Sequence, residues 1–363
     1  MPRAREIGID IGVLPTGPTN SVLDVGGVGL GHTTLVRDEA PPPDGRGTAR
    51  TGVTTLVLAE DAYARPMAAG GAVLNGAGEC TGLLTATEWG TAETPVYLTS
   101  TMQLGRVYDA ACQIALEADG TGDRVAGDVV IPVVGECDDS FLNDCRRMQV
   151  ESDDVRASHR EALASRGAST PPAEGAVGAG TGMSCLGHKG GIGTSSRVTP
   201  AGHTVAVLLL TNFGEHPQLV VDGVPVGRLL PHPVDAPPRP AGSCIGIVVT
   251  DAPLVGADCA RLARRVGLGL ARTGSAAHHG SGEIFMGFST TARVDRDGSP
   301  DATPRIAGRA LDELFEAVVE AAEESVLNSM LTAPTTVGRD GNTSVGLSAD
   351  AVRQAFEKHR AGH

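Results

Sequence analysis

Two stretches of this chain, HTVAVLLLTN (203–212) and SCIGIVVT (243–250), are apolar on both faces of an extended backbone. Strands of that kind must be covered above and below, which points to a sheet stacked on a sheet with helices outside. Three further runs, GVTTLVLA (52–59), DVVIPVV (128–134) and EIFMGFSTTARV (283–294), share the β-branched character of strands. Helical periodicity fills 100–118, 256–272, 307–331 and 349–360. In the third, Leu311, Leu314, Phe315, Val318, Val319, Ala322 and Val326 recur at steps of three and four. Asp312, Glu313, Glu316, Glu320, Glu323 and Glu324 take the other face, as on an ordinary amphipathic covering helix. The mixed order of elements argues for a layered α/β sandwich over a doubly wound sheet.

At 363 residues the chain can bury a large core without disulfides or metals. Only 3% of it is aromatic and it has 49 glycines, so that core has to be built from Val, Ile, Leu and Ala on closely spaced backbones. A formal charge of −14 with scattered arginines argues against a nucleic-acid partner. The seven cysteines include no CxxC pair, so neither a disulfide framework nor a zinc knuckle is expected. No apolar run is long enough for a signal peptide core or a membrane span. The expectation is a cytoplasmic, reduced, soluble protein with no membrane, metal or cofactor partner.

Two proline-rich segments, 164–176 and 229–242, read as connectors. The glycine-rich block EGAVGAGTGMSCLGHKGGIGTSSR (174–197) lacks P-loop spacing and has no dinucleotide fingerprint. Its glycines suit tight turns and a narrow cleft lined by backbone N–H groups. No Gly-x-Ser-x-Gly elbow occurs, no histidine stands in a triad context, and His278 and His279 read as loop residues.

A serine can be armed without a histidine. Once the peptide bond before it breaks, its own α-amino group titrates near ~8 and can act as base. Gly242-Ser243 suits that scheme, because glycine leaves its carbonyl open to attack and the connector ahead can move away. Taken alone, a Gly-Ser step entering a strand is ordinarily just a strand start.

The surroundings of that step add a second line. GSCIGIVVTDAPL (242–254), the helix after it and GSGEIFMGFST (280–290) resemble the β-subunit start of the D-aminopeptidase and β-peptidyl aminopeptidase family, of the DmpA/BapA type. NSVLDVGGVGLGHTTL (20–35), LNGAGECTGLLTATEWGTAETPVYLTST (74–101), VVGECDDSFLND (133–144), LLLTNFGE (208–215) and VGRDGNTSVGL (337–347) are similar to that family's blocks, in the family's order. The resemblance implies a single catalytic domain over 1–363, a four-layer αββα sandwich of the DmpA/ornithine-acetyltransferase type, Ntn-hydrolase-like. It also implies self-cleavage between Gly242 and Ser243 into an α-chain 1–242 and a β-chain 243–363, and an (αβ)₄ homo-oligomer.

By the same resemblance Ser243 is the nucleophile, and Ser281 and Glu283 are the second serine and the glutamate. Asn212 is the oxyanion-stabilising amide, and Glu136 binds the free amino terminus of a short peptide or aminoacyl amide. Read without it, GSGE is a turn with a solvated acid and Asn212 a strand-end turn residue. Some relatives carry a tyrosine two residues after that glutamate, where this chain has Asp138. The expected activity is a self-processing serine aminopeptidase for small L-, D- or β-amino acids. The alternatives are a pantetheine-type amidohydrolase, an ornithine acetyltransferase-like acyl transferase, or an unprocessed binding protein.

Overall fold

The computed structural model describes residues 1–118, 129–233, 242–296 and 304–361. Its main strands are β1 (Gly29–Asp38), β2 (Thr48–Val57), β3 (Met67–Gly76), β4 (Thr91–Ala92), β5 (Val96–Ser100) and β6 (Val133–Cys137). The short strands β7 (Ser184–Cys185) and β8 (His188–Lys189) precede β9 (Ile192–Val198), β10 (Thr204–Asn212), β11 (Ser243–Thr250) and β12 (Gly282–Arg293). A last small pair is β13 (Thr336–Val337) and β14 (Thr343–Ser344). The helices are α1 (Leu83–Trp89), α2 (Leu104–Ala118), α3 (Ser152–Ala164), α4 (Val226–Leu229), α5 (Gly256–Arg272), α6 (Asp312–Leu331) and α7 (Ala349–Ala361).

Two large sheets form, in the orders β1-β2-β5-β6 and β4-β3-β12-β11-β10-β9. Pairing is antiparallel except for β5 with β6 and β11 with β12. Leu56, Leu98 and Val133 of the first sheet meet Leu208, Ile245 and Met286 of the second in the central layer. The alternate residues Val207, Val248 and Phe285 point the other way, onto Leu262 and Val266 of α5 and Val318 and Ala322 of α6. On the outer face of the first sheet, Val53, Tyr97 and Val134 pack under Val107 and Ala111 of α2 and Val155 of α3. Helix, sheet, sheet, helix is the expected four-layer order. All eight residues of β11 are buried, as its two apolar faces require. Each such aliphatic side chain removed from water is worth about 1.5–3 kcal/mol.

Small residues set the layer spacing. A Cβ on Gly29 would lie 1.9 Å from the Ala162 carbonyl oxygen, and one on Gly31 2.3 Å from the Ala162 nitrogen, so α3 rests directly on β1. Helix α6 departs from the amphipathic expectation. Glu320, Glu323 and Glu324 are buried rather than solvated. Arg197, fully buried, donates to Glu320 at 3.0 Å and to Glu324 at 2.8 Å. Arg5 reaches Glu324 at 3.1 Å, and Val13 and Leu14 donate backbone N–H groups to Glu320. The N-terminal segment thus folds over the acidic face, with buried charges matched by partners far away in sequence.

Of the 128–134 run, Asp128 lies outside the described residues, and the strand begins only at Val133 because Pro132 has no N–H to give a ladder. Of the 229–242 connector, 234–241 lie outside the described residues, while 230–233 and Gly242 are irregular. No helix among the described residues is long and apolar enough to cross a membrane.

Candidate active site

Ser243 opens β11 in the middle of the second sheet, opposite Asn212 at the end of β10 and beside Gly282 at the start of β12. The residue is 4% exposed, and its Oγ finds no nitrogen or oxygen partner among the described residues, its neighbour being the Cys137 thiol. A buried hydroxyl left unmatched costs roughly 1–3 kcal/mol, so such atoms call for a reason. The preceding carbonyl, of Gly242, accepts from the Gly282 N–H at 3.2 Å. A Cβ at Gly242 would fall 2.3 Å from the Asn212 carbonyl oxygen, so this position has no room for a side chain.

Ser281 and Glu283, two residues apart on an extended segment, do face the same side: the Ser281 hydroxyl donates to Glu283 Oε1. The acid is buried, not solvated, and its Oε2 has no hydrogen-bond partner among the described residues. Burial raises the Glu283 pKa above the usual glutamate value, and the Ser281 hydrogen bond offsets part of that rise. The turn carrying Ser281 is held by Asn75, which sequence reasoning did not find. Its Nδ2 lies within hydrogen-bond distance of the carbonyls of His278 (3.0 Å), His279 (3.1 Å) and Ser281, so its two N–H groups are shared among three acceptors. Asn75 also faces Glu283 across the β3–β12 pair, where the register shifts.

Asn212 is held so that its amide orientation is unambiguous. Its Oδ1 accepts from the Ser184 N–H at 2.9 Å and its Nδ2 donates to the Asp138 carbonyl at 2.8 Å. One N–H of that amide remains for a ligand. Ser184 belongs to the glycine-rich block, so one of its backbone N–H groups serves the asparagine. Lys189 of the same block is buried and donates to the carbonyls of Gly180, Met183 and Gly190, knitting the block together.

Glu136 lies on β6, paired with Thr99 of β5, and is 4% exposed. Its carboxylate accepts the Glu79 N–H at 2.8 Å and the Thr101 hydroxyl. Burial raises its pKa, the two hydrogen bonds pull it down, and the charges of Asp138 and Glu79 raise it further. Thr101 was another residue that sequence alone did not mark. Cys137 and Cys244, adjacent in sequence to Glu136 and Ser243, are buried thiols whose pKa values desolvation pushes well up. They stay protonated and do not compete as nucleophiles.

A cavity of about 390 Å³ adjoins this corner, lined among others by Asp138, Ser184, Asn212, Gly242 and Ser281. Ser243, Glu283 and Glu136 are buried and lie within two residues in sequence of that lining. All six expected residues therefore line this cavity or lie within two residues of its lining, and no hydrogen bond joins the Ser281–Glu283 pair to Ser243 among the described residues. His278 and His279 are exposed loop residues, as expected, though His278 also lines the cavity. No three His, Cys, Asp or Glu side chains among the described residues gather as a metal-ligand set.

The model of peptidase family S58 matches residues 20–344. The chain is 35% identical to the β-peptidyl aminopeptidase BapA of Sphingosinicella microcystinivorans, over 99% of this chain and 93% of that one. Its structure superposes on a Burkholderia sp. β-aminopeptidase with a TM-score of 0.87 at 36% identity, covering 98% and 99% of the two chains. It superposes equally on the L-aminopeptidase D-Ala-esterase/amidase of Ochrobactrum anthropi, described as a prototype serine aminopeptidase and a variant of the Ntn-hydrolase fold. There the TM-score is 0.89 at 32% identity, with 99% of each chain covered. A sandwich carrying a serine at the head of an inner strand thus finds its counterparts over its full length, and the chain belongs to peptidase family S58, the self-processing serine aminopeptidases of the DmpA/BapA type.

Proposed function

We propose that this protein cleaves its own chain between Gly242 and Ser243, and that the exposed Ser243 then removes the first residue from short peptides, amides or esters. The observation that carries this reading is the meeting of Ser243, Ser281, Glu283, Asn212 and Gly242 at one buried corner. In the scission step the Ser243 hydroxyl attacks the Gly242 carbonyl, which the Gly282 N–H already polarises. The bond to the Ser243 nitrogen breaks, that nitrogen takes the hydroxyl proton and becomes the free α-amine, and water hydrolyses the resulting ester to release the Gly242 carboxylate and the Ser243 hydroxyl.

In turnover, Glu136 binds the ammonium group of the substrate, which accounts for a requirement for an unblocked amino terminus. The α-amine of Ser243, or the Ser281–Glu283 pair, takes the hydroxyl proton as Oγ attacks the amide carbon. The remaining N–H of Asn212 stabilises the oxyanion, the leaving amine takes the proton, and water releases the acyl group from Ser243. Small N-terminal residues, L-, D- or β-configured, are the expected acyl groups. We infer as well a cytoplasmic enzyme assembled as (αβ)₄, to which its seven free thiols are suited.

A panel of p-nitroanilides bearing L-Ala, D-Ala, β-Ala and N-acetyl-Ala tests the reading. Release of nitroaniline from at least one unblocked member and not from the acetylated one is expected. Cleavage of the acetylated compound at a comparable rate would contradict the role given to Glu136.

A further inference from the structure

The aminopeptidase reading fixes two points of a substrate, its amine at Glu136 and its scissile carbonyl at Asn212. The part expelled from that carbonyl has to extend into the adjoining cavity of about 390 Å³, whose near wall is Asp138, Asn212, Gly242 and Ser281. The charges around that space are uneven. Asp138 and Glu215 belong to its lining, and no lysine or arginine among the described residues does.

Asp138 accepts one hydrogen bond, from the Ser140 N–H at 2.8 Å, and neither acid forms a salt bridge among the described residues. Glu215 is exposed and caps the short helical turn that follows it. The basic side chains among the described residues that line the same cavity are the imidazoles of His216, His232 and His278. His216 is buried against His188 at 3.1 Å, and desolvation lowers its pKa.

Resting on the proposed aminopeptidase reaction, we propose that this cavity is the leaving-group subsite and that Asp138 and Glu215 make it select substrates whose second residue is cationic. A peptide with lysine or arginine in second place sets its positive charge against two carboxylates that form no ion pair with a lysine or arginine among the described residues. A leaving group ending in a carboxylate meets the same two acids as a repulsion. The charge of −14 over the whole chain works in the same direction at longer range.

The test uses dipeptide amides that share the acyl residue cleaved fastest as a p-nitroanilide and carry lysine, norleucine or glutamate in second place. Amidation removes the terminal carboxylate, so only the side-chain charge differs. The account expects kcat/KM for lysine to exceed that for norleucine by about 5-fold or more, and glutamate to fall below both. Raising the ionic strength compresses the spread.

In D138N and E215Q the lysine-to-norleucine ratio, taken within each variant, falls toward one. If D138N does not fold, E215Q alone carries the comparison. Equal rates for the three amides, a preference for glutamate through the imidazoles, or a lysine preference unchanged in the variants each overturn the proposal. Failure of every p-nitroanilide would instead sink the aminopeptidase reading itself, so the two failures are distinguishable.

Discussion

Ser243 and Asn212 face each other as an antiparallel pair, the first residue of β11 against the last of β10. Residues so paired have Cα atoms about 4.5–5.5 Å apart, so the ladder of the sheet sets the distance between nucleophile and oxyanion donor. Loop motion does not enter. The apolar residues of β10 and β11, buried on both faces, lock that register, because a slip of one position would turn each side chain to the opposite layer.

Replacing Asn212 by Asp keeps an acceptor for the Ser184 N–H but removes the donor to the oxyanion. We predict a fall in kcat of about 10²–10³-fold with KM changed little, measured by initial rates on the preferred p-nitroanilide. A fall confined to KM would assign Asn212 to substrate binding instead.

Glu136→Gln retains the shape of the side chain, and its one oxygen can still accept the Glu79 N–H while its N–H₂ donates to the Thr101 hydroxyl, which then acts as acceptor. It removes the charge that meets the substrate ammonium. Loss of a charge-assisted hydrogen bond of roughly 1.5–3 kcal/mol corresponds to a drop in kcat/KM of about 10- to 100-fold. A steady-state comparison of the variant and the parent protein checks it.

Burial holds the Glu283 pKa above its ordinary value, so the acid limb of kcat/KM is expected above the usual glutamate range of about 4.3. The effect on stability has the opposite sense. The folded protein binds this proton more tightly than the unfolded chain, so ionisation removes stability as pH rises from the ordinary value through the raised one. Glu283→Gln escapes that loss. Its Tm should exceed that of the parent at pH 7, with the difference closing by about pH 4; thermal melts at the two pH values give the answer.

How much of this was open to inspection in the chain itself differs by residue. The two-faced runs gave β10 and β11 their limits to within a residue, because an inner strand carries its apolar signal in every position. Strands β1, β3, β5 and β9 and helix α3 are absent from the sequence reading; in β1, β3 and β9 glycine, serine and threonine replace the apolar alternation where helices or turns approach closely. Ser281, Glu283, Asn212 and Glu136 were assigned through family resemblance, and on their own each looked like an ordinary turn or strand-end residue. Asn75 and Thr101 left no trace, because their hydrogen bonds join segments about 200 and 35 positions apart. The acids of α6 misled for a related reason. Periodicity placed them on a polar face, and only the fold shows that Arg197 and the N-terminal segment cover that face.

Asn75 ties together three carbonyls of the turn that carries Ser281, so it acts as a positioning residue. Asn75→Ala is predicted to lower kcat about 10-fold while KM for the p-nitroanilide stays within twofold. A merely structural role would lower Tm and leave the kcat of the folded fraction alone, and a melt run beside the kinetics separates the two.

The central claim is that Ser243 works as a new N-terminus. It is tested most directly by intact-mass analysis of the purified protein and of Ser243→Ala, each assayed on the same p-nitroanilide. The parent protein should yield two chains, residues 1–242 and a second starting Ser-Cys-Ile-Gly, together with activity, while Ser243→Ala should remain a single chain of 363 residues without activity. A Ser243→Ala protein that still splits at this bond, or a parent protein that hydrolyses the substrate at full rate as one unbroken chain, would contradict it.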